Sequence, residues 1–276
     1  MFLQSIEMSL IANETLHAEG VPKKDKNGTD EVFTIEGLNA NCDINEIKFQ
    51  LAQFDHALTS EPGKSLNMNL LFYGPPGTGK SVLARYIADH LGREVICKRF
   101  SDLQSMWVGQ GEKNVRMAFQ EAEDAEAVLV IDEVDSMLSS RDKAQRSWEV
   151  SFTNEFLTGM EHYRGILICT TNRLDELDQA SIRRFNWKIK FDFLNPEGKV
   201  IFYQKLLGNL VASPLDEESI SALRRLSNLA PGDFKNVRDR YSYHAAAGLN
   251  HKVLIDALAE ESRIKNLHAQ VHQIGF

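Results

Sequence analysis

An apolar run, Leu70-Leu71-Phe72-Tyr73, leads straight into Gly74-Pro75-Pro76-Gly77-Thr78-Gly79-Lys80-Ser81, which opens into Ser81-Val82-Leu83-Ala84-Arg85-Tyr86-Ile87-Ala88. The first segment reads as a buried strand and the last as a helix. Between them the glycines let the backbone turn tightly, so that its N–H groups can face a polyphosphate. The helix start adds positive dipole at the same place. The spacing is G-x-x-x-x-G-K-[ST], in which Lys80 reaches the β- and γ-phosphates and Ser81 ligates Mg²⁺. An ordinary glycine turn before a helix is the alternative, and the agreement of motif with context sets it aside.

The rest of the chain fits that start. Apolar strands are predicted at Leu70–Tyr73, Glu94–Lys98, Ala127–Ile131, Ile166–Thr171 and Trp187–Phe191. Amphipathic stretches lie between them, such as Glu112–Ala125, with Val115, Phe119 and Ala122 on one face. Strands spaced by helices predict a parallel sheet covered on both faces. Ligands of such sheets bind beyond the carboxyl ends of the strands. After Asn195-Pro196 the strands stop, and Gly198–Val211, Asp216–Leu229, Phe234–Ala247 and Lys252–Ala269 read as helices. The expected fold class is α/β: a three-layer parallel-sheet domain over 33–194, then a small all-α domain over 195–276. Residues 1–16 carry Phe2, Ile6 and Leu10 at roughly helical spacing, and 17–30 read as a polar linker.

Composition narrows the partners. The chain has 276 residues, 43% of them hydrophobic, and a formal net charge of -8. It lacks the basic surplus or stripe of a domain whose main partner is nucleic acid. Cys42, Cys97 and Cys169 are far apart and odd in number, which suggests neither a disulfide framework nor a zinc site. Cys97 and Cys169 sit in apolar runs and are expected to be buried strand residues. No apolar run approaches the ~20 residues that span a membrane. The start lacks the basic region of a signal peptide, so a cytoplasmic location is expected.

Two further strand ends carry chemistry. Ala127-Val128-Leu129-Val130-Ile131 ends in Asp132-Glu133-Val134-Asp135, the Walker B form. Asp132 lies beside the phosphate loop, where its carboxylate can hold Mg²⁺ through water. Glu133 is one step on and can polarise an attacking water; the alternative is a surface acid. Ile166-Leu167-Ile168-Cys169-Thr170-Thr171 ends in Asn172-Arg173. Asn172 is expected between the phosphate loop and Asp132, touching both γ-phosphate and water, rather than merely capping a turn.

With these motifs in order, the chain from about residue 33 onward resembles the AAA family of P-loop ATPases. The resemblance also rests on Leu177-Asp178-Gln179-Ala180-Ser181-Ile182-Arg183-Arg184-Phe185, which in the family carries arginine fingers that reach a neighbouring subunit's γ-phosphate. Arg183 and Arg184 match them. The spacing looks like the subgroup of spastin, katanin and Vps4-type ATPases. Ser105-Met106-Trp107-Val108-Gly109-Gln110-Gly111-Glu112 resembles the central pore loop, in which Met106, Trp107 and Val108 would grip an extended polypeptide; the alternative is that Trp107 packs in the core. Ser139–Ser147, with Arg141, Lys143 and Arg146, resembles a second pore loop.

The helical domain is then the family's lid. Its Pro231-Gly232-Asp233-Phe234 matches the position that contacts base and ribose, so Gly232 joins Gly74, Pro75, Pro76, Gly77, Thr78, Gly79, Lys80, Ser81, Val82 and Asp132 as a nucleotide-binding residue. Phe234 stands where many relatives carry a sensor Arg; Lys235 and Arg238 are the nearby cations, and nothing in the sequence assigns either of them that role. Glu36-Gly37-Leu38 resembles the entry to the adenine pocket. The resemblance implies ATP and Mg²⁺ as cofactors, Ser81 and Asp132 as the Mg²⁺ residues, and Glu133, Asn172, Arg183 and Arg184 as catalytic. It implies a homo-oligomeric ring, hexameric when ATP is bound, that remodels protein substrates. Two other classes compete: a DNA-associated AAA+ ATPase, disfavoured by the acidic balance and the Trp107 loop, and a nucleotide-binding module without turnover, disfavoured by Glu133, Asn172 and the arginine pair.

Overall fold

The structure, a computed structural model, describes residues 35–60, 66–105, 107, 109–138, 147–243 and 249–274. The helix expected at 1–16 and the linker at 17–30 lie outside the described residues. In chain order come β1 (Asn39–Ala40), α1 (Ile44–Ser60), β2 (Met68–Tyr73), α2 (Lys80–His90), β3 (Val95–Arg99), α3 (Phe100–Leu103), α4 (Gln110–Asp124) and β4 (Val128–Asp132). A short 3-10 turn, Val134–Ser136, precedes α5 (Ser147–His162), β5 (Ile166–Thr171), α6 (Gln179–Ile182) and β6 (Trp187–Asp192). Among the described residues four α-helices follow: α7 (Pro196–Leu206), α8 (Glu217–Arg225), α9 (Pro231–Tyr241) and α10 (His251–Ile274).

The strands pair in the order β1-β6-β2-β5-β4-β3. All pairs are parallel except β1 with β6. This order sets the ends of β2, β5 and β4 side by side, so the turns after Tyr73, Thr171 and Asp132 are neighbours. The two-residue β1 is too short for any periodicity to reveal it.

Alternation along the strands sends successive side chains to opposite faces. Leu71, Leu129, Ile131, Leu167 and Cys169 pack with Val115, Phe119 and Phe156 of α4 and α5. Leu70, Phe72, Val130, Ile168 and Phe191 pack on the other face with Leu51 of α1 and Leu83 and Ile87 of α2. Each such side chain contributes about 1.5–3 kcal/mol relative to an exposed one. These two apolar layers hold the sheet rigid beneath its loops.

Cys169 is buried as its apolar run implies, but Cys97 is exposed. The expectation for Cys97 failed because β3 is the outermost strand of the sheet, and an edge strand has a neighbour on one side only.

The C-terminal helices make a third cluster of their own, including Phe202, Tyr203, Leu223, Phe234, Val237 and Leu254. Their starts follow capping chemistry. Asn195 Oδ1 accepts from Gly198 N at 2.7 Å before α7, and Asp216 Oδ1 accepts from Ser219 N at 2.7 Å before α8. Pro196 and Pro231 occupy first-turn positions where their missing N–H costs nothing. α7, α8 and α9 stop short of the stretches read from sequence, whereas α10 runs past its own to Ile274. α8 ends at Arg225 because Leu226 is extended and Asn228 turns left-handed at φ 52°.

Candidate functional site

The phosphate loop is shaped by close approach as much as by turn geometry. Gly74 has φ 137°, and a Cβ there would lie 2.0 Å from the Phe191 carbonyl oxygen of β6, so the position takes no side chain. Gly79, at φ 98°, forms the N-cap of α2. Thr78 Oγ1 donates to the Pro75 carbonyl at 2.7 Å and braces the loop from within.

Lys80 is the first residue of α2 and is 7% exposed. Its ammonium donates at 2.8 Å to each of three oxygens: the Gly74 and Pro75 carbonyls and Asn172 Oδ1. Burial pushes the Lys80 pKa down to about 8, while Asp132 and Asp135 pull in the opposite direction. The ammonium is therefore poised: desolvated, hydrogen-bonded to neutral oxygens, and lacking a directly bonded anion.

Beside it, Ser81 Oγ donates to Asp132 Oδ1 and Oδ2 at 3.2 and 3.1 Å. Thr170 Oγ1 donates to the same carboxylate. A hydroxyl and a carboxylate offer hard oxygen donors, the kind Mg²⁺ accepts while keeping several waters and taking phosphate oxygens. The residues fit that ion: Ser81 and Asp132 would hold it, and it would neutralise phosphate charge. Among the described residues no group of three or more His, Cys, Asp or Glu could form an all-protein cage.

Glu133 is exposed and sits at φ 62°, ψ 48°. A non-glycine residue held in the left-handed region costs about 1–3 kcal/mol and persists only where its surroundings enforce it. The enforcement is visible on both sides: Ile131 and Val134 are both buried. Asn172 follows the last residue of β5, and its side chain is brought to Lys80.

The C-terminal helices meet the loop backbone to backbone. Gly232 N donates to the Gly77 carbonyl at 3.0 Å, and a Cβ on Gly232 would come 3.2 Å from Gly77 Cα. Leu38 packs against the helical cluster, and its Cδ2 would lie 3.2 Å from a Cβ on Gly79. Glu36-Gly37-Leu38 therefore lies at the seam between phosphate loop and helices. Phe234 is fully buried, its ring 6.3 Å from that of Phe202. Arg238 pairs with Asp239 at 2.9 Å.

The arginine pair is elsewhere. Arg183 is exposed. Arg184 donates from Nε to Glu161 Oε1 at 2.7 Å and from Nη1 to the Ala180 carbonyl at 2.9 Å. The Arg184 carbonyl accepts from Asn69 Nδ2 at 3.2 Å, at the foot of β2. Five residues of extended strand, about 17 Å, separate Asn69 from Gly74. The structure thus brings Lys80, Ser81, Asp132, Glu133 and Asn172 to the carboxyl end of the sheet and leaves both arginines near its amino end.

Trp107 is 77% exposed, which excludes the core-packing alternative. Its N–H donates to Ser105 Oγ and its carbonyl accepts from Gln110 N, each at 3.2 Å, just before α4. Met106 and Val108 lie outside the described residues, as do 139–146 of the second candidate loop. Sequence reasoning did not single out Thr170, Thr171 or Asp135 for roles. Two hydroxyls ending a strand beside an acidic turn were the available signal.

Residues 70–193 match the family model described as "ATPase family associated with various cellular activities (AAA)". Spastin of Drosophila erecta is 34% identical over 171 residues, which is 59% of this chain and 22% of that protein. Spastin of Drosophila melanogaster aligns with the same identity and coverage, 34% over 59% of this chain. The chain thus spans about a fifth of the length of these curated relatives, 22%. Among solved structures, the FIGL-1 AAA domain superposes with a TM-score of 0.57 at 25% identity, covering 79% of each chain.

Proposed function

This chain contains a domain of the AAA family of ATPases, and on that premise we propose that it is the motor module of an ATP- and Mg²⁺-dependent protein-remodelling machine. The observation that carries the reading is two hydrogen-bonded pairs set side by side, Lys80 with Asn172 and Ser81 with Asp132, with Glu133 next in the chain after Asp132. Lys80 and the loop N–H groups hold the phosphates. Ser81 and Asp132 hold Mg²⁺. Glu133 polarises water for in-line attack and Asn172 orients it against the γ-phosphate. Gly232 and Leu38 close on the nucleotide from the helical side.

Arg183 and Arg184 complete a different copy's site. Their distance from the chain's own phosphate loop supports this, because an arginine side chain is far shorter than strand β2. An arginine delivered in this way is worth about 10³–10⁵ in rate. The working form is then a ring, hexameric as is usual in the family, acting on protein substrates. Exposed Trp107 from each copy grips the polypeptide in the central channel. We place the boundary between the ATPase domain and its lid at 194/195 and the protein in the cytoplasm. No helix among the described residues is long and apolar enough to cross a membrane.

The test is the dependence of specific ATPase activity on protein concentration. A composite site predicts a steep rise as copies associate; equal specific activity in dilute monomer would overturn the shared-site reading. Glu133→Gln should bind ATP and not hydrolyse it, and the trapped form offers the means to capture the substrate. ATPase stimulated by DNA with strong salt dependence would point instead to a DNA-associated member.

A further inference from the structure

The pairing of β4 with β5 runs through Leu129–Leu167 and Val130–Ile168 and ends at Ile131–Cys169. Beyond that point their backbone pairing stops, and the two strands run on to the turns that carry Glu133 and Asn172. Among the described residues, two side-chain hydrogen bonds continue the connection. Thr170 Oγ1 donates to Asp132, which also takes the Ser81 hydroxyl. One step further out, Thr171 Oγ1 donates to Asp135 Oδ1 at 2.8 Å.

The second bond has a reach that the first lacks. Asp135 lies in the 3-10 turn Val134–Ser136, whose N-cap is the left-handed Glu133. Thr171 is 1% exposed, and its Oγ1 also accepts the Arg173 N–H at 3.0 Å, closing the turn around Asn172. One hydroxyl thus ties the turn bearing Asn172 to the turn bearing Glu133.

The geometry points to Asp135 as a positioning residue that, through Thr171, fixes Glu133 and Asn172 relative to each other. It touches neither nucleotide nor water in this scheme. Without it the side-chain hydrogen bond that joins the Glu133 turn to the Asn172 turn is lost, and each turn keeps only its own local bonds. A displacement of about 1 Å in a reacting group can cost about 10²-fold in rate. The inference rests on the ATPase reading above.

The test compares steady-state ATP hydrolysis and binding of a fluorescent ATP analogue in the full chain. Asp135→Ala should lower kcat by roughly 10- to 100-fold while the KM for ATP and the affinity for the analogue change by less than about threefold. Asp135→Asn keeps an acceptor oxygen for Thr171 and should retain most of the turnover. Thr171→Val, close in volume, should lose at least as much as Asp135→Ala, since it also removes the acceptor of the Arg173 N–H, and the double variant no more than Thr171→Val alone, because the Thr171–Asp135 connection is then already gone. Thr171→Ser should restore it. Wild-type turnover in Asp135→Ala, equal loss in Asp135→Asn, or additive losses in the double variant would each overturn the inference and leave the ATPase reading standing. A wild-type chain that binds the analogue but hydrolyses no ATP would overturn the ATPase reading itself.

Discussion

The Lys80 ammonium donates to Asn172 Oδ1 at 2.8 Å, joining the first turn of α2 to the end of β5. Its other two bonds go to loop carbonyls, so every N–H of a buried cation is spent on a neutral oxygen. A polyphosphate offers that cation an anionic partner, and the exchange has a signature in protons.

Burial holds Lys80 near pKa 8 when no phosphate is present, and a bound phosphate raises it by favouring the charged form. At pH 8, ATP binding should therefore take up about half a proton at this group. Above that pH the affinity should fall, approaching tenfold per unit. Isothermal titration in two buffers of different ionisation enthalpy measures the uptake, and Lys80→Met should abolish it together with most of the affinity. The stability of the nucleotide-free chain moves the other way. Between about 8 and the ordinary value of 10.5 the unfolded chain holds more protons at Lys80, so this residue makes the fold more stable as pH rises through that window. An affinity independent of pH from 7.5 to 9.5 would contradict the argument.

Two glycines of the same loop should respond differently to alanine. At Gly74 the new Cβ would meet backbone, the Phe191 carbonyl oxygen at 2.0 Å, and no side chain can yield to relieve it. At Gly77 the closest atoms are Ala230 Cβ at 3.7 Å and Gly232 Cα at 3.8 Å, ordinary contacts, so the left-handed φ of 75° is the main penalty. Gly77→Ala should cost about 1–2 kcal/mol in urea unfolding. Gly74→Ala should cost more than about 3 kcal/mol, in the range of severe core lesions, or prevent soluble expression. Equal losses at the two positions would show that turn strain, not the approach of β6, governs the loop.

Much of this is legible in the sequence alone, for a physical reason. Leu70–Tyr73 and Val128–Ile131 are uninterrupted apolar runs, as strands buried on both faces require, and each ends in residues that a core would reject. That pattern found Lys80, Asp132 and Asn172 and the neighbourhood they share. Long-range pairing was not legible. Nothing local to Asn39-Ala40 announces a strand, because two residues have no period. Cys97 sits in an apolar run like Cys169, and the difference between them is the position of β3 at the sheet edge. Thr171 and Asp135 are 36 residues apart, and only the strand order makes them neighbours.

Trp107 tests the link between turnover and work. Its indole is 77% exposed, so removing it leaves no cavity and should not alter the melting temperature measurably. Trp107→Ala should keep basal ATP hydrolysis within about twofold and lose binding of an unstructured polypeptide such as fluorescent casein, since a large flat contact is what such a grip supplies. A fall in basal turnover equal to the fall in casein binding would assign the residue to the nucleotide site or to assembly.

The arginine pair allows a test that no single variant provides. Arg184 is held by Glu161, but both partners are partly exposed, with side-chain exposures of 33% and 51%, and such a pair is worth at most about 1 kcal/mol. That bond does not lock Arg184, and Arg183 is already exposed. If both act on a neighbour, a copy lacking its phosphate lysine and a copy lacking its finger carry complementary defects. Lys80→Ala and Arg183→Ala should each be nearly inactive alone. In a mixture, some interfaces unite the intact phosphate loop of the Arg183→Ala copy with the intact finger of the Lys80→Ala copy. With random mixing at equal amounts, about one interface in four is of this kind, so turnover should recover toward a quarter of wild type. The recovery should vanish on dilution as copies separate. A mixture no more active than its components, under conditions where gel filtration shows mixed oligomers, would mean that Arg183 does not complete a neighbour's site.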